Sequence, residues 1–323
     1  LSVYFHAPAL YDVMKTDAPW QFHSMNPEGR ASIVALDGKG HFLTWAKLEP
    51  GQDAETLDPR PYIWRVVGEE IPVEILSSKP WQAGLSLVAD SYQRGRVLLA
   101  GDAVHLFTPT GGFGMNTGVG DAENLGWKLA AWHRGWAGSR LVASYEAERR
   151  PVAIRNLAQS YALAQAKSGL SVPADIEADT AEGETQRADL GARTEEALAE
   201  EYFSMGIQLG ARYDGSPIVS AEDGEIEISD PFTYVPTAWP GGRAPHRWLS
   251  DGTALFDHFG KDFTLLRLGG SDEDTSALTR SAADRGVPLT VFDEPDPETR
   301  ALYEADLVLI RPDQYVAWRG DAC

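Results

Sequence analysis

Short apolar and polar runs alternate through the first 80 residues in the way that β-strands do. The runs SVYFHA, ASIVAL, HFLTWAKL and YIWRVV are rich in β-branched and aromatic residues, and IPVEILSS adds a fifth. Turn formers such as Asn26-Pro27 and Asp37-Gly38 separate the first three runs. We therefore expect a mostly antiparallel sheet with one covered face in this part of the chain.

A different pattern begins at Gly95. The segment GRVLLAGD contains a continuous apolar run from Val97 to Ala100, which is typical of a strand covered on both faces. The run ends in Gly101-Asp102, so a carboxylate is expected at the carboxyl end of this strand. In open α/β sheets, ligands bind at that end of the strands.

Residues from about 117 to 134 have the spacing of an amphipathic helix. Apolar side chains recur one and two turns apart at Leu125, Leu129 and Trp132. Asp121 and Glu123 lie near the predicted start and Lys128 towards the end, an order that suits the helix dipole. Gly135 predicts the C-terminal stop.

The remaining pattern predicts a helix, a connector and a small α/β domain. A second helix is expected over 142–166, kinked or divided by Pro151. The acidic segment 171–200 predicts a solvated loop followed by a helix. From FTLLRLG onwards, the order strand–helix–strand followed by a hairpin predicts a mixed sheet.

Composition narrows the function classes. The 323 residues include 28 Lys and Arg against 48 Asp and Glu, a net charge of −20, which argues against nucleic-acid and anionic-membrane partners. No apolar run approaches the roughly 20 residues that cross a bilayer. Cys323 is the single cysteine, so one copy can form no disulfide framework, as is typical of cytoplasmic proteins. The histidines show no HxxxH or HExxH spacing, so no metal site is expected.

The stretch GDAVHLFTPTGGFGMNTGVGDAENLGWKLAAW combines a carboxylate, a glycine loop and a helix start. The Asp102 carboxylate can accept hydrogen bonds from hydroxyl groups, and the glycines from Pro109 to Gly114 let a flat ligand approach the main chain. A helix starting near Asn116 would offer free N–H groups to an electron-rich edge. A flavin has all three features. A second interpretation, with Asp102 as a capping residue and the glycines as turn formers, stays open on this ground alone.

One long segment reads YQRGRVLLAGDAVHLFTPTGGFGMNTGVGDAENLGWKLAAW and is followed by LVASYEAERRPVA. This segment resembles the second flavin-binding motif of FAD-dependent aromatic hydroxylases of the p-hydroxybenzoate hydroxylase and phenol hydroxylase type. The strand-rich start resembles their substrate sheet, and YVPTAWPGGRAPHRWL with the terminal α/β region resembles their thioredoxin-like domain. The resemblance implies a mixed α/β fold. It also implies four regions: a substrate sheet (1–85), an FAD-binding portion (86–170), a connector (171–230) and a thioredoxin-like domain without CxxC (231–323).

The resemblance further implies a function and a set of site residues. FAD, reduced by NAD(P)H, would hydroxylate a phenolic or polycyclic aromatic substrate through a flavin C4a-hydroperoxide. No catalytic side chain is assigned, because the flavin carries the chemistry. Asp102 would hold the ribityl hydroxyls, and N–H groups near the helix start would face the pyrimidine edge of the ring. The implied cofactor-binding residues are Gly101, Asp102, Pro109, Gly111, Gly112, Gly114, Met115 and Asn116.

The chain departs from the family at one point. No GxGxxG segment for the ADP half of FAD occurs, so the chain is expected to be part of a longer polypeptide whose N-terminal half would be its partner. A non-catalytic binding module on the same fold stays open, as does a flavin-dependent halogenase or oxidase. A homodimer is also an open expectation.

Single residues receive mostly structural interpretations. His105 and the pair Arg149-Arg150 are expected to hold the fold together rather than bind ligand. His6 and His23 lie on the expected substrate sheet, with pocket contact as the less favoured alternative. Two tyrosines, Tyr202 and Tyr213, are candidates for contact with a phenol.

Overall fold

The structure, a computed structural model, describes residues 1–14, 18–82, 85–224, 226, 228, 230–270 and 273–322. The chain forms two compact units: residues 1–83 with 167–197, and residues 84–166 with 198–323. Cys323, on which the expectation about disulfides rests, lies outside the described residues. No helix in the described ranges has the length and apolarity to cross a membrane.

The helices and strands follow one another along the chain. Up to residue 79 they are β1 (Ser2–His6), α1 (Leu10–Val13), β2 (Gln21–Asn26), β3 (Gly29–Ala35), β4 (His41–Trp45), α2 (Arg60–Val67) and β5 (Glu74–Lys79). The next are β6 (Leu87–Val88), β7 (Gln93–Arg94), β8 (Val97–Leu98), β9 (His105–Leu106), α3 (Phe113–His133), α4 (Ser139–Ser168) and α5 (Ala181–Tyr202). The last are α6 (Met205–Leu209), β10 (Phe263–Leu268), α7 (Ser276–Asp284), β11 (Leu289–Glu294), α8 (Pro297–Tyr303), β12 (Leu307–Ile310) and β13 (Val316–Gly320).

The first unit is built on a five-stranded antiparallel sheet of order β2-β3-β4-β1-β5. Alternate residues of β1, such as Val3 and Phe5, are fully buried in its core, whereas Tyr4 and His6 lie on the opposite face. Ile63 and Val66 of α2 belong to the same core. The expected antiparallel sheet with one covered face is therefore confirmed.

The expected strand YIWRVV is wrong, because these residues form α2. Pro59 is the N-cap of this helix and Pro61 lies in its first turn, where a missing N–H costs nothing. Ile63 and Val66 are three residues apart and face the sheet together, which is the helical period. Their β-branched side chains favoured a strand on propensity, and packing against the sheet overrides that preference.

The expected buried strand at Val97–Ala100 is also wrong in its extent and burial. Only β8, two residues long, forms there, and it pairs with β7 in a short hairpin. Val97 is 62% exposed and Leu99 is 39% exposed. In the described part of the chain, β7 is the only strand that pairs with β8, so its apolar residues stay accessible.

Helix α3 confirms the predicted helix and its end, but the expected apolar face is wrong. Trp132 is 47% exposed, and the buried side chains of the helix include Asp121, Asn124 and Lys128. Gly135 has φ +83° just beyond the last turn, and its N–H donates to the Trp132 carbonyl at 3.1 Å. Helix α4 runs unbroken from residue 139 to 168 through Pro151, so the expected division of this helix is wrong.

The end of the chain forms a four-stranded sheet of order β11-β10-β12-β13. Strands β10 and β11 are parallel and α7 connects them, whereas β12 pairs antiparallel with β10 and β13. The predicted strand–helix–strand unit followed by a hairpin is confirmed. Leu266, Leu268 and Ile310 are fully buried in its core. The fold is therefore mixed α/β, as expected.

Phe42 is the best place to test the core of the first unit. It is fully buried and lies 5.5 Å and 5.2 Å, centroid to centroid, from the rings of Phe5 and Tyr11. Phe42→Ala should lower the free energy of unfolding by about 3–5 kcal/mol through lost burial and a new cavity. Leu36→Ala, at a 52% exposed position nearby, should change it by no more than about 0.5 kcal/mol. Urea unfolding followed by fluorescence measures both; equal midpoints would contradict the packing.

Candidate functional site

The Gly101-Asp102 step forms a tight turn that Leu99 and Ala100 connect to β8. Gly101 has φ +58°, a left-handed conformation that glycine adopts without strain, and residues Gly101–Ala103 form one 3₁₀ turn. The side chain of Asp102 is exposed to solvent. The sequence pattern therefore places a carboxylate where an incoming ligand can reach it.

The loop before α3 is a second left-handed turn. Gly111 and Gly112 have φ values of +84° and +67°, and Pro109 leads into the 3₁₀ turn that contains them. A Cβ on Gly111 would overlap the ring of Phe113, so no other residue fits there. The Gly111 N–H donates to Glu201 Oε1 at 3.3 Å. Side chains therefore lie against Gly111, whereas a Cβ on Gly112 would meet nothing within 4 Å, so the main chain is open at Gly112.

Helix α3 begins at Phe113, three residues earlier than the expected start near Asn116. The first turn therefore contains Gly114 and Met115, whose N–H groups belong to the set that a helix leaves without internal partners. The side chain of Met115 is 76% exposed, and Asn116 Nδ2 donates back to the Gly112 carbonyl at 2.8 Å. The helix therefore begins before the residues whose apolar spacing predicted it.

The Gly101 turn and α3 approach each other through bare backbone. A Cβ built on Gly118 would lie 3.2 Å from the Cα of Gly101, closer than most such contacts in proteins. Glycine at both positions lets the turn lie against the second turn of the helix. This approach brings the carboxylate of Asp102, the glycine loop and the helix start into one region of the second unit.

Asp121 holds this arrangement in place, and the sequence interpretation missed that role. It is fully buried, and its Oδ2 accepts from the Gly101 N–H at 3.1 Å and from His105 Nε2 at 2.7 Å. Its Oδ1 accepts from Arg149 Nε at 2.8 Å. The expectation that Asp121 serves the helix dipole is therefore wrong, because it lies two turns into α3. Its partners lie up to 28 residues away in the sequence.

Two structural interpretations are confirmed. His105 is buried and bonded to Asp121, with no partner for Nδ1 among the described residues. Besides Asp121, Arg149 donates to the Thr117 carbonyl at 3.1 Å, and Arg150 donates to the Ala89 carbonyl at 3.0 Å. These side chains fix helices and loops to one another.

A second buried carboxylate, Glu148, lies at the centre of the α3–α4 pair. Its Oε2 accepts from Lys128 Nζ at 2.6 Å and Asn124 Nδ2 at 2.7 Å. Arg311 donates to both carboxylate oxygens at 2.7 and 2.8 Å, and Ser216 donates to Oε1 at 2.5 Å. Lys128 is fully buried in this cluster, so its expected role at the helix end is wrong.

The charges in these clusters shift one another's ionisation. Burial acts to raise the pKa of Glu148, but the hydrogen bonds and charge of Arg311 and the charge of Lys128 outweigh it and lower that pKa to about 2. Burial lowers the pKa of Lys128 to about 8. Burial likewise opposes the charge of Asp121, and bonds from His105 and Arg149 outweigh it, so its pKa is lowered.

A cavity of about 530 Å³ lies along α3 in the second unit. Its lining includes Gly111, Asn116 and Gly120 from the loop and helix, and Arg149 and Arg155 from α4. The cavity is open and mixed in polarity, and it borders the first turn of α3. It is large enough for part of a ligand of cofactor size.

The other sequence candidates fall in different places. Tyr213 is buried against Tyr315, with ring centroids 4.0 Å apart, so its expected contact with a phenol is wrong. Tyr202 is 46% exposed at the end of α5. His6 lies 4.7 Å, centroid to centroid, from His41 on the exposed face of the first unit's sheet, and His23 Nδ1 lies 3.0 Å from Ser32 Oγ.

These features fit a flavin in three respects. Asp102 offers an exposed carboxylate to hydroxyl groups, the loop presents open backbone at Gly112 to a flat ring, and α3 begins beside that loop. In the described residues, no group of three or more His, Cys, Asp or Glu side chains is arranged to hold a metal ion. The donor set is that of an organic ligand with hydroxyls and a polar edge.

Comparison with protein families gives the same answer. Residues 51–160 match the model for the FAD binding domain, and residues 237–323 match the model for the aromatic-ring hydroxylase C-terminal region. Together these matches span well over half of the chain. The chain belongs to the family of FAD-binding aromatic-ring hydroxylases, the class A flavin monooxygenases, and the resemblance noted in the sequence is confirmed.

Individual relatives agree with this assignment. The FAD-dependent monooxygenase opdD of Penicillium oxalicum is 35% identical over 310 residues, which cover 90% of this chain and 58% of opdD. A putative polyketide hydroxylase of Streptomyces halstedii is 32% identical, covering 91% of this chain and 54% of that protein. The structure of the rebeccamycin biosynthetic enzyme RebC with reduced flavin has a TM-score of 0.88 at 40% identity, covering 100% of this chain and 60% of RebC. The chain thus spans somewhat more than half of the length of these relatives.

Two glycines of α3 provide a matched test of the backbone approach. Gly118→Ala puts a methyl group against Gly101 and should displace the Gly101-Asp102 turn, whereas a Cβ on Gly126 meets nothing within 4 Å. Gly126→Ala should raise the free energy of unfolding by up to about 1 kcal/mol, because alanine favours a helix. Gly118→Ala should lower it and speed amide exchange at residues 101–104. Thermal unfolding and hydrogen exchange measure these effects; two equally stabilising substitutions would contradict the close approach.

Glu148 should make the free energy of unfolding depend on pH in the acidic range. Because its pKa is lowered from 4.5 to about 2 in the folded state, its stabilisation is complete above pH 4.5 and is lost as pH falls towards 2. The difference corresponds to about 3 kcal/mol, an order-of-magnitude value. Glu148→Gln should be destabilised at pH 7, and its deficit relative to the unsubstituted protein should shrink between pH 5 and pH 2. Urea unfolding across that range tests this; a constant deficit would refute the assignment.

Proposed function

We propose that this chain provides the flavin end of the FAD site, and the substrate sheet, of a monooxygenase that hydroxylates an aromatic compound with NAD(P)H as reductant. The observation that supports the proposal most is the turn at Gly101-Asp102, which lies against α3 beside the glycine loop. Membership of the hydroxylase family supports the same reaction class.

Each site residue has a proposed part in binding FAD. Asp102 accepts hydrogen bonds from the ribityl hydroxyls, and Gly101 gives the turn its left-handed conformation. The loop from Pro109 to Gly112 lines the flavin ring. When bound, FAD supplies the redox chemistry, accepting hydride and activating oxygen for transfer to the aromatic ring.

The start of α3 contributes a favourable electrostatic interaction with the flavin ring. Its first turn, which includes Gly114, Met115 and Asn116, presents the positive end of the helix dipole to the pyrimidine edge of the ring. Such a helix start stabilises a negative charge by about 0.3–1 kcal/mol when exposed and by up to about 2 kcal/mol when partly buried. The helix therefore favours the reduced, anionic form of the ring.

The substrate class follows from the first unit's sheet. Tyr4, His6 and His41 form a group of rings on the face opposite the core, with Tyr4 and His41 centroids 5.9 Å apart. Such a surface suits a flat phenolic or polycyclic compound. Similarity to the putative polyketide hydroxylase of Streptomyces halstedii supports a polycyclic ligand.

The regions of the chain have proposed roles. Residues 1–85 serve as the substrate sheet, 86–170 as the FAD portion, 171–230 as a connector and 231–323 as a thioredoxin-like domain. The parallel pair β10–β11 joined by α7, completed by an antiparallel hairpin, supports the last of these. Without a CxxC motif, that domain cannot carry out disulfide exchange.

The ADP half of FAD would be bound by sequence outside these residues. The use of a single cysteine supports a cytoplasmic location.

Reconstitution tests the reaction. The chain would be joined to the N-terminal FAD-binding segment of opdD and supplied with FAD, NAD(P)H and a panel of phenols and polycyclic phenols. We expect a yellow holoenzyme, substrate-stimulated NAD(P)H oxidation and incorporation of isotopically labelled oxygen into the aromatic product. Peroxide release alone would indicate an oxidase, and a halide-dependent product a halogenase. A well-folded colourless protein would refute the proposal.

Asp102 gives the sharpest single-residue prediction. Asp102→Ala should weaken FAD binding at least about tenfold, because a charge-assisted hydrogen bond is worth about 1.5–3 kcal/mol. Asp90→Ala removes another exposed carboxylate of the same unit and should leave binding unchanged. Flavin fluorescence during titration of the 323-residue chain measures both affinities. Identical affinities for the two variants would rule out the role of Asp102.

A further inference from the structure

The terminal sheet contributes two charged side chains to the interior of the α3–α4 pair. Arg311 and Asp313 lie in the turn between β12 and β13, and they are 1% and 4% exposed. Arg311 donates to both oxygens of Glu148 in α4, at 2.7 and 2.8 Å. Asp313 Oδ2 accepts from Asn124 Nδ2 at 3.2 Å and from Trp127 Nε1 at 3.0 Å, both in α3. One turn therefore contacts both helices.

A continuous series of contacts leads from this turn to Gly101. The Arg311 guanidinium lies 4.9 Å from the centre of the Tyr213 ring. Tyr213 Oη accepts from Arg149 Nη1 at 3.2 Å, and Arg149 Nε donates to Asp121 at 2.8 Å. Asp121 in turn accepts from the Gly101 N–H at 3.1 Å. Four of these residues are buried side chains from separate parts of the sequence, and the series ends at the residue before Asp102.

The buried charges between α3 and α4 are balanced only while the Arg311–Asp313 turn is packed against both helices. Glu148 and Asp313 are two buried carboxylates, and Lys128 and Arg311 are the two buried cations beside them. If the turn leaves, Glu148 loses both bonds from Arg311, and Asn124 and Trp127 lose their acceptor. Buried charges and donors without partners are strongly unfavourable, so loss of the turn should loosen the position of α3.

We infer that the terminal sheet positions the flavin half-site: the Arg311–Asp313 turn fixes α3 and, through Arg149 and Asp121, fixes the Gly101-Asp102 step. The terminal sheet thus supports the Gly101-Asp102 turn from inside the second unit. Arg311 and Asp313 are positioning residues, since they act through α3 and α4. The meaning of this inference for FAD rests on the proposed function, whereas its structural part concerns this chain alone.

Hydrogen exchange measured by mass spectrometry on the complete chain without FAD tests the structural part. Arg311→Lys keeps the charge but loses the bidentate geometry, and Asp313→Asn keeps the shape but loses the charge. The control is Arg319→Lys in β13, whose ion pairs with Glu222 and Glu304 touch neither α3 nor α4. Under conditions in which every variant is folded, exchange over residues 100–118 should speed up by about tenfold or more in the two test variants and by less than about twofold in the control.

The pattern of exchange decides the outcome. Faster exchange confined to β12 and β13, or a uniform increase across the whole chain, would overturn the inference, because it would show a merely stabilising turn. If Arg311→Lys does not fold, Asp313→Asn alone decides by the same criterion.

FAD titration of the same variants separates this inference from the proposed function. If the test variants loosen residues 100–118 while Asp102→Ala leaves FAD binding unchanged, the positioning stands and the proposed function fails. If Asp102→Ala weakens FAD binding while exchange over residues 100–118 stays as in the control, the proposed function stands and the positioning fails. If loosening and weaker FAD binding occur together in Arg311→Lys and Asp313→Asn, both are supported.

Discussion

Two carboxylates buried between the long helices of the second unit determine how the rest of that unit is arranged. Glu148 accepts five hydrogen bonds and Asp121 accepts three. A buried carboxylate is tolerated only with such partners, because the loss of hydration costs several kcal/mol per ion. The partners come from α3, α4, β9, loops and the terminal sheet. Satisfying these two charges therefore brings distant parts of the chain together, and the Gly101 turn is one of them.

Most elements of the fold could be predicted from the sequence. The strands with clear alternation, such as β1 and β4, were identified because burial on one face imposes a period on the sequence. Helix α3 was identified as well, although its buried face carries polar residues rather than the apolar stripe. The exceptions have physical reasons. The segment of α2 is β-branched and aromatic, so its propensity favoured a strand, and only packing against the sheet makes it helical. Val97 and Leu99 are apolar as in a buried strand, yet the described part of the chain gives β8 a single partner.

The site was predicted where its chemistry is local and missed where it is not. Asp102, the glycines and the helix start are neighbours in the sequence, so the sequence was enough to predict that they lie together. Asp121 and Lys128 were interpreted as helix-dipole charges because both lie on a predicted helix. Their partners are 16 to 28 residues away, and Asn124 bonds to a residue 189 positions later. A pairing of that range depends on tertiary structure, which no short window of sequence contains.

The neutrality of the buried charges has a consequence for how the protein responds to ionic strength. Glu148 and Asp313 are matched by Lys128 and Arg311, and Asp121 is matched by Arg149, so the excess of 20 negative charges lies outside these clusters. Dissolved salt screens exposed charges and hardly reaches enclosed ones. Added salt should thus relieve repulsion across the acidic exterior while leaving the interior ion pairs intact.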